Sequence, residues 1–203
     1  DLCSKRGGML LFDLGSGAIF NAKSKNIPFE RRINEYLKLG ADIVTYSGDK
    51  LLGGIQTGII SGSEKLVNNI YNNPMYRTLR CDKYRISLME KILRTYDSTD
   101  NVSLENLSIN LFLRSKKQLE EYAQVVINNI NDEIKEKYDF KAIDTKVEAG
   151  SGSLPVEKID SLAITISSST ISSNKISRKL RSVDIPIFNY VRNDLVHIDL
   201  KAI

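Results

Sequence analysis

Apolar residues fall into three regimes along the chain: short glycine-bounded runs first, helical spacing through the middle, and alternation with polar residues in the last third. The runs "GGMLLFD" (7–13), "ADIVTYS" (41–47) and "TGIISG" (57–62) predict buried strands of a mostly parallel sheet. Between the first two, "PFERRINEYLKLG" sets Ile33, Tyr36, Leu37 and Leu39 at near-helical spacing, and Gly40 supplies a stop. Strand, helix, strand is the signature of an α/β layer. From Ser63, a candidate N-cap, "SEKLVNNIYNN" is helical until Pro74 interrupts it. A longer amphipathic helix follows over 82–97, with Ile86, Met89, Ile92 and Leu93 on one side, and reads as a connecting helix. Residues 104–138 contain neither glycine nor proline and predict one or two further helices. Beyond them "FKAIDTKVEAG", "SLAITISSS", "IPIFNYV" and "LVHIDLKAI" alternate as strands do, and "ISSNKISRKLRSV" reads as a helix capped by Ser173 or Asn174. The expected architecture is α/β: residues 1–97 as a mostly parallel layer with its connecting helix, and residues 98–203 as a small α+β domain with an antiparallel sheet.

Composition narrows the class without choosing a function. At 203 residues, 41% hydrophobic and 27% charged, the chain has the profile of a globular protein able to bury a core. The formal charge of +4 comes from scattered basic residues, so nucleic-acid binding is permitted and not demanded. Cys3 and Cys81 form no disulfide framework and share no metal-ligand spacing with the single histidine, His197. The sequence holds no membrane-length apolar segment, and "DLCSKRGGML" lacks the apolar region of a signal peptide. A cytoplasmic protein is expected.

The stretch "TYSGDKLLGG" (45–54) carries the chemistry. In open α/β sheets ligands gather beyond the carboxyl ends of strands, where both Asp13 and the "SGDK" loop are expected. Pyridoxal phosphate needs a lysine for its Schiff base, a carboxylate for the pyridine nitrogen and donors for its phosphate. Lys50, Asp13 and Ser47 have those chemistries, and Gly48, Gly53 and Gly54 would let the backbone approach a cofactor. A solvated lysine on a turn is the alternative that the pattern alone leaves open.

Five separated motifs, "DLGSG" (13–17), "DIVTYSGDKLLGG" (42–54), "GIISG" (58–62), "NPMYRTLRCDK" (73–83) and "GSGSLP" (150–155), together resemble the bacterial selenocysteine synthase family, the L-seryl-tRNA(Sec) selenium transferases, over nearly the whole chain. The resemblance implies a fold-type I pyridoxal phosphate enzyme that converts L-seryl-tRNA(Sec) to selenocysteinyl-tRNA(Sec) by β-elimination of water and addition of selenium from selenophosphate. It implies Lys50 as the Schiff-base lysine, Asp49 as the acid beside it and Asp13 as the acid at the pyridine nitrogen. Arg77 and Arg80 are implied as ligands of the selenium donor's oxyanion, a role for which the charged guanidinium fork is suited. If both sit on one helical turn at i and i+3, they point the same way. Assembly as a homo-oligomer, at least a dimer, is implied with them.

The lysine loop continues as "GGIQTG", with Ile55 and Thr57 where the family usually has proline and alanine, which bears on loop rigidity. The tyrosine-containing "FNYV" (188–191) stands where the family tends to have an arginine before the last strand. The amino-terminal half of the family is absent, so a fragment of a longer enzyme, inactive alone and with exposed apolar sheet edges, is expected. Competing readings are a related pyridoxal phosphate lyase on a small amino acid or amino sugar, and a non-catalytic dimerisation module. His197 reads as a strand residue without catalytic duty, Cys81 as an unreactive thiol, Asp82 and Lys83 as an ion pair or helix start, and "GSGSLP" as a structural turn.

Overall fold

The computed structural model describes residues 2–19, 31–97, 102–148 and 158–203, so "GSGSLP" lies outside the described residues. Two compact units divide between Leu113 and Arg114, whereas the sequence pattern puts its boundary after residue 97. The first holds α1 (Leu2–Lys5), β1 (Leu11–Gly15), α2 (Ile33–Lys38), β2 (Ile43–Ser47), β3 (Gly58–Gly62), α3 (Glu64–Tyr71), α4 (Tyr76–Leu79), α5 (Lys83–Thr95), α6 (Val102–Glu105) and α7 (Leu107–Leu113). The second holds α8 (Lys116–Asn128), α9 (Asp132–Lys135), β4 (Asp139–Glu148), β5 (Lys158–Ser167), α10 (Ser173–Arg181), β6 (Tyr190–Arg192) and β7 (Leu195–Asp199). The result is a mixed α/β chain with two sheets, ordered β1-β2-β3 and β4-β5-β7-β6.

In the first sheet β1 and β2 are parallel, as expected of strands joined through a helix. The third run departs from the parallel expectation, because β3 returns antiparallel to β2 through the loop 48–57. Ten residues without a helix cannot make a parallel crossover, which takes about a dozen or more. One face of this sheet carries Val44 and Tyr46, which with Ile33 of α2 form a buried cluster joined by Leu14, Tyr36, Leu37 and Ile59. Strand β1 is not the buried strand that its apolar run suggests, since it lies at the sheet edge and Leu11 is 58% exposed.

Asp82 starts α5: its carboxylate accepts the Arg85 amide at 3.0 Å and pairs with the Arg85 guanidinium. Its pKa is lowered, first by that backbone bond. The glycine-free stretch breaks into four helices instead of one or two, and the breaks have local causes. Asn106 accepts the Ile109 amide at 3.2 Å as an N-cap does, and Ser115 and Gln118 form a capping box before α8.

In the second unit β7 pairs antiparallel with both β5 and β6. Leu119 and Ala123 of α8 pack on Leu162, Ile164 and Leu200, and Ile176 of α10 packs on Ile166 and Val196. The N-cap of α10 is Ser172, one residue before the first candidate. "IPIFNYV" is a strand only from Tyr190, and residues 185–188 are exposed. His197 is buried on β7, its Nε2 3.2 Å from the Arg192 carbonyl and its ring stacked on Tyr190.

Candidate active site

The parallel pair brings the carboxyl ends of β1 and β2 together. Asp13 is opposite Thr45, and Thr45 Oγ1 donates to Asp13 Oδ1 at 2.9 Å, which fixes the carboxylate on the sheet surface. A bulge follows between Asp13 and Gly15, and Gly15 has a φ of +71°, a backbone conformation that glycine adopts without strain. Lys50 Nζ lies 3.8 Å from the position a Cβ on Gly15 would take, so the amine reaches over the end of β1.

The loop after β2 is tied down on every side. The Leu51 amide donates to the Ser16 carbonyl at 2.9 Å, Gly48 N to Thr57 O at 2.9 Å, and Gly54 N to Gly48 O at 2.8 Å. Leu51 and Leu52 are buried. The Leu52 carbonyl accepts from Tyr96 Oη at 2.7 Å and from Asn106 Nδ2 at 3.0 Å. Burial pushes the Tyr96 phenol far up from its ordinary pKa.

The loop glycines are closely packed by the chain itself. A Cβ on Gly48 would lie 2.3 Å from Met89 Cε, and one on Gly53 would lie 2.2 Å from Asn106 Oδ1. Those spaces are filled by side chains of α5 and of the junction before α7.

Beside the strand ends lies an open cavity of about 1110 Å³, with Asp13, Thr45 and Ser47 on the sheet side and Arg80, Cys81 and Met89 opposite. Asp13, Ser47 and Arg80 therefore share one cavity, while Lys50, Asp49 and Arg77 are not in its lining. Asp49 is exposed in the loop. Arg77 lies on α4, but Arg80 is the residue that ends it, with ψ of 143°, so the two do not share a continuous helical turn. Neither guanidinium makes an ion pair among the described residues.

The family model for L-seryl-tRNA selenium transferase matches residues 1–203. The chain belongs to the L-seryl-tRNA selenium transferase family. Among its relatives, the L-seryl-tRNA(Sec) selenium transferase of Mannheimia succiniciproducens is 34% identical over 194 residues, 94% of this chain and 41% of the relative. That of Alkaliphilus oremlandii is 35% identical over 193 residues, again 94% and 41%. That of Desulfotalea psychrophila is 32% identical over 202 residues, 100% of this chain and 43% of the relative. The chain thus spans about two fifths of the length of these curated relatives. In fold it is similar to D-glucosaminate-6-phosphate ammonia-lyase, with a TM-score of 0.58 and 16% identity over all of this chain and 46% of that one.

Within this family member four site-forming residues escape the motif reading: Thr45, Ser16, Tyr96 and Asn106. Thr45 was legible in principle, as the residue opposite Asp13 once the parallel register is known. Ser16 is only 1% exposed, and its hydroxyl has no hydrogen-bond partner among the described residues. Tyr96 and Asn106 left no signal, because their shared acceptor, Leu52, is 44 and 54 residues away in sequence.

Proposed function

We propose that this chain carries the lysine, the ring-nitrogen carboxylate and the donor-binding arginines of a fold-type I pyridoxal phosphate enzyme. The enzyme converts L-seryl-tRNA(Sec) to selenocysteinyl-tRNA(Sec), with selenophosphate as the selenium donor. The observation that carries this reading is the reach of the Lys50 amine over Gly15, two residues beyond a carboxylate already held by Thr45. Family membership supports the substrate class.

The residues present fit the cofactor. A primary amine stands at the strand ends, a fixed carboxylate lies on the adjoining strand, and the buried Ser16 hydroxyl has a hydrogen bond to give. When bound, pyridoxal phosphate draws electrons from the serine Cα and so permits loss of the β-hydroxyl and entry of selenium.

Lys50 would hold the cofactor through its amine and, when that amine is free, would take the Cα proton. Asp13 would hold the ring nitrogen, and Thr45 keeps the Asp13 carboxylate in place for it. Ser47 and Ser16 donate hydrogen bonds, and Asp49 is the acid beside the lysine. Arg80, in the cavity wall, and Arg77 bind the oxyanion of selenophosphate. The first compact unit serves as part of the large domain and the second as the small one. The exposed apolar residues Tyr84, Ile86 and Leu88 of α5 support a homo-oligomer of at least two copies. A cytoplasmic location follows from the tRNA substrate of this reading; separately, no described helix is long and apolar enough to cross a membrane.

The test is chemical. Pyridoxal phosphate is added to the purified chain, the adduct is reduced with borohydride and the peptides are mapped. The expected label is on Lys50, and Lys50→Ala removes it. A label that persists on another lysine in that variant overturns the assignment.

A further inference from the structure

We infer that the outer face of α10, together with the segment 183–188 folded beside it, is an RNA-binding surface that takes phosphates on the helix and an unpaired base on Phe188. The inference rests on the proposed function, in which the reacting serine is carried at the unpaired 3′ end of a tRNA.

Helix α10 buries Ser173, Ile176 and Ser177, and its Ile176 and Leu180 pack against the second sheet. The opposite face therefore points outward, and it carries Lys175, Arg178 and Lys179 at i, i+3 and i+4, all exposed. With Arg181, residues 171–190 hold four cations against one acid, Asp184. None of the four makes an ion pair among the described residues; Arg178 and Arg181 donate only to the carbonyls of Asn174 and Asn189. Favourable placement of cations at a helix C-terminus accounts for Arg178, Lys179 and Arg181 but not for Lys175 in the first turn.

The apolar neighbour is held rigidly. Ile187 N donates to the Leu180 carbonyl at 2.9 Å, and the buried Asn189 side chain donates to Ile187 O at 2.8 Å. These bonds hold a segment in which Ile185 is 84% and Phe188 89% exposed. A cationic track beside an exposed ring is the pairing that binds unpaired nucleic acid, with phosphates on the charges and a base on the ring. A protein interface fits less well, because it would bury lysines that have no acid to meet them. A bilayer fits less well too, because the apolar side of α10 is already spent on the sheet.

The experiment measures fluorescence anisotropy of the 203-residue chain with two labelled RNA hairpins, one blunt and one with a four-nucleotide 3′ overhang, over a salt series. The parent is expected to bind both and to prefer the overhang. The triple variant Lys175→Ala, Arg178→Ala, Lys179→Ala is expected to bind both at least about tenfold more weakly, with a salt slope shallower by roughly two, as loss of about three phosphate contacts requires. Phe188→Ala is expected to lose about fivefold or more on the overhang hairpin alone, with an unchanged salt slope. Lys179→Glu, at an exposed site, should weaken both hairpins and guards against a folding defect in the triple variant, with circular dichroism as the control. Parent-like RNA binding by the triple variant overturns the inference, as does a parent that binds no RNA. So does a Phe188→Ala effect that appears as loss of oligomer in sedimentation instead of loss of RNA. Lys50 labelling is read separately without RNA: a labelled chain that ignores RNA defeats this inference alone, and an RNA-binding chain without the label defeats the proposed function.

Discussion

At the scale of the residue, reactivity here depends on small neighbours and short bonds. The Lys50 amine reaches the end of β1, where it lies 3.8 Å from the position of a Cβ on Gly15, and Thr45 holds the Asp13 carboxylate from the adjoining strand. The two arginines are not equivalent: Arg80 lines the cavity and Arg77 does not. Arg80→Ala is therefore expected to lower use of selenophosphate by about 10-fold to 100-fold, on the order of one to two lost charge-assisted hydrogen bonds, while sparing cofactor labelling at Lys50. Arg77→Ala should cost less. The check is selenium-transfer kinetics of both variants in the assembled enzyme against donor concentration, and an Arg77→Ala defect larger than that of Arg80→Ala would reverse the assignment. A lysine among glycines after one apolar strand and an aspartate at the end of another can be singled out in the sequence. That Thr45 bonds Asp13 and that the Lys50 amine passes over Gly15 cannot, because nothing in a run of residues says which turn a remote side chain will reach.

At the scale of the element, the lysine loop is a clamp between β2 and β3 whose strength comes from two distant side chains. Asn106 donates to Leu52 O while accepting from Ile109 N, so Asn106→Ala frees both ends of the clamp. A loss of about 2 kcal/mol in chemical denaturation is expected, with slower labelling of Lys50 by pyridoxal phosphate. Tyr96 adds a pH dependence. Its folded pKa is raised by burial above the unfolded value near 10, so the folded state keeps the phenolic proton longer. The stability it contributes is present below about pH 10 and falls as pH rises beyond it. Tyr96→Phe should be about 1 kcal/mol less stable at pH 8, for want of the bond to Leu52 O, yet lose less between pH 8 and 10.5. Urea melts at the two pH values give the comparison, and an unchanged slope against pH would mean that other groups, such as the buried Tyr46 with its raised pKa, dominate the alkaline loss. Helix and strand types were largely legible at this scale, and their breaks were less so. The division before α7 depends on Asn106 capping one helix while bonding a remote loop, and the sequence displays only the first of those roles.

At the scale of the whole molecule, two compact units with separate cores make a single two-state transition an unsafe description. Leu162→Ala removes a buried side chain from the core shared by α8 and β5 and is expected to cost about 2 to 5 kcal/mol in the second unit. Hydrogen exchange should then show faster opening of β5 and β7 with little change in β2. Equal acceleration in β2 would mean that the units unfold as one. Met9 and Leu10 before β1 and Leu11 and Phe12 within it are exposed, as fits a sheet edge that no other described strand pairs with.

Local order follows from neighbours along the chain: which segments repeat at two or at 3.6 residues, that Asp82 starts a helix, and that a lysine loop follows a buried strand. Periodicity and capping act within about one to two turns of backbone, so they can be read from neighbours. Tertiary structure alone decided that β3 returns antiparallel, that β1 stays exposed, that Met89 and Asn106 fill the space left by loop glycines, and that Arg80 but not Arg77 lines the cavity. Each of these depends on packing between segments remote in sequence, where close-packed volume and register select one arrangement among several that the local pattern allows.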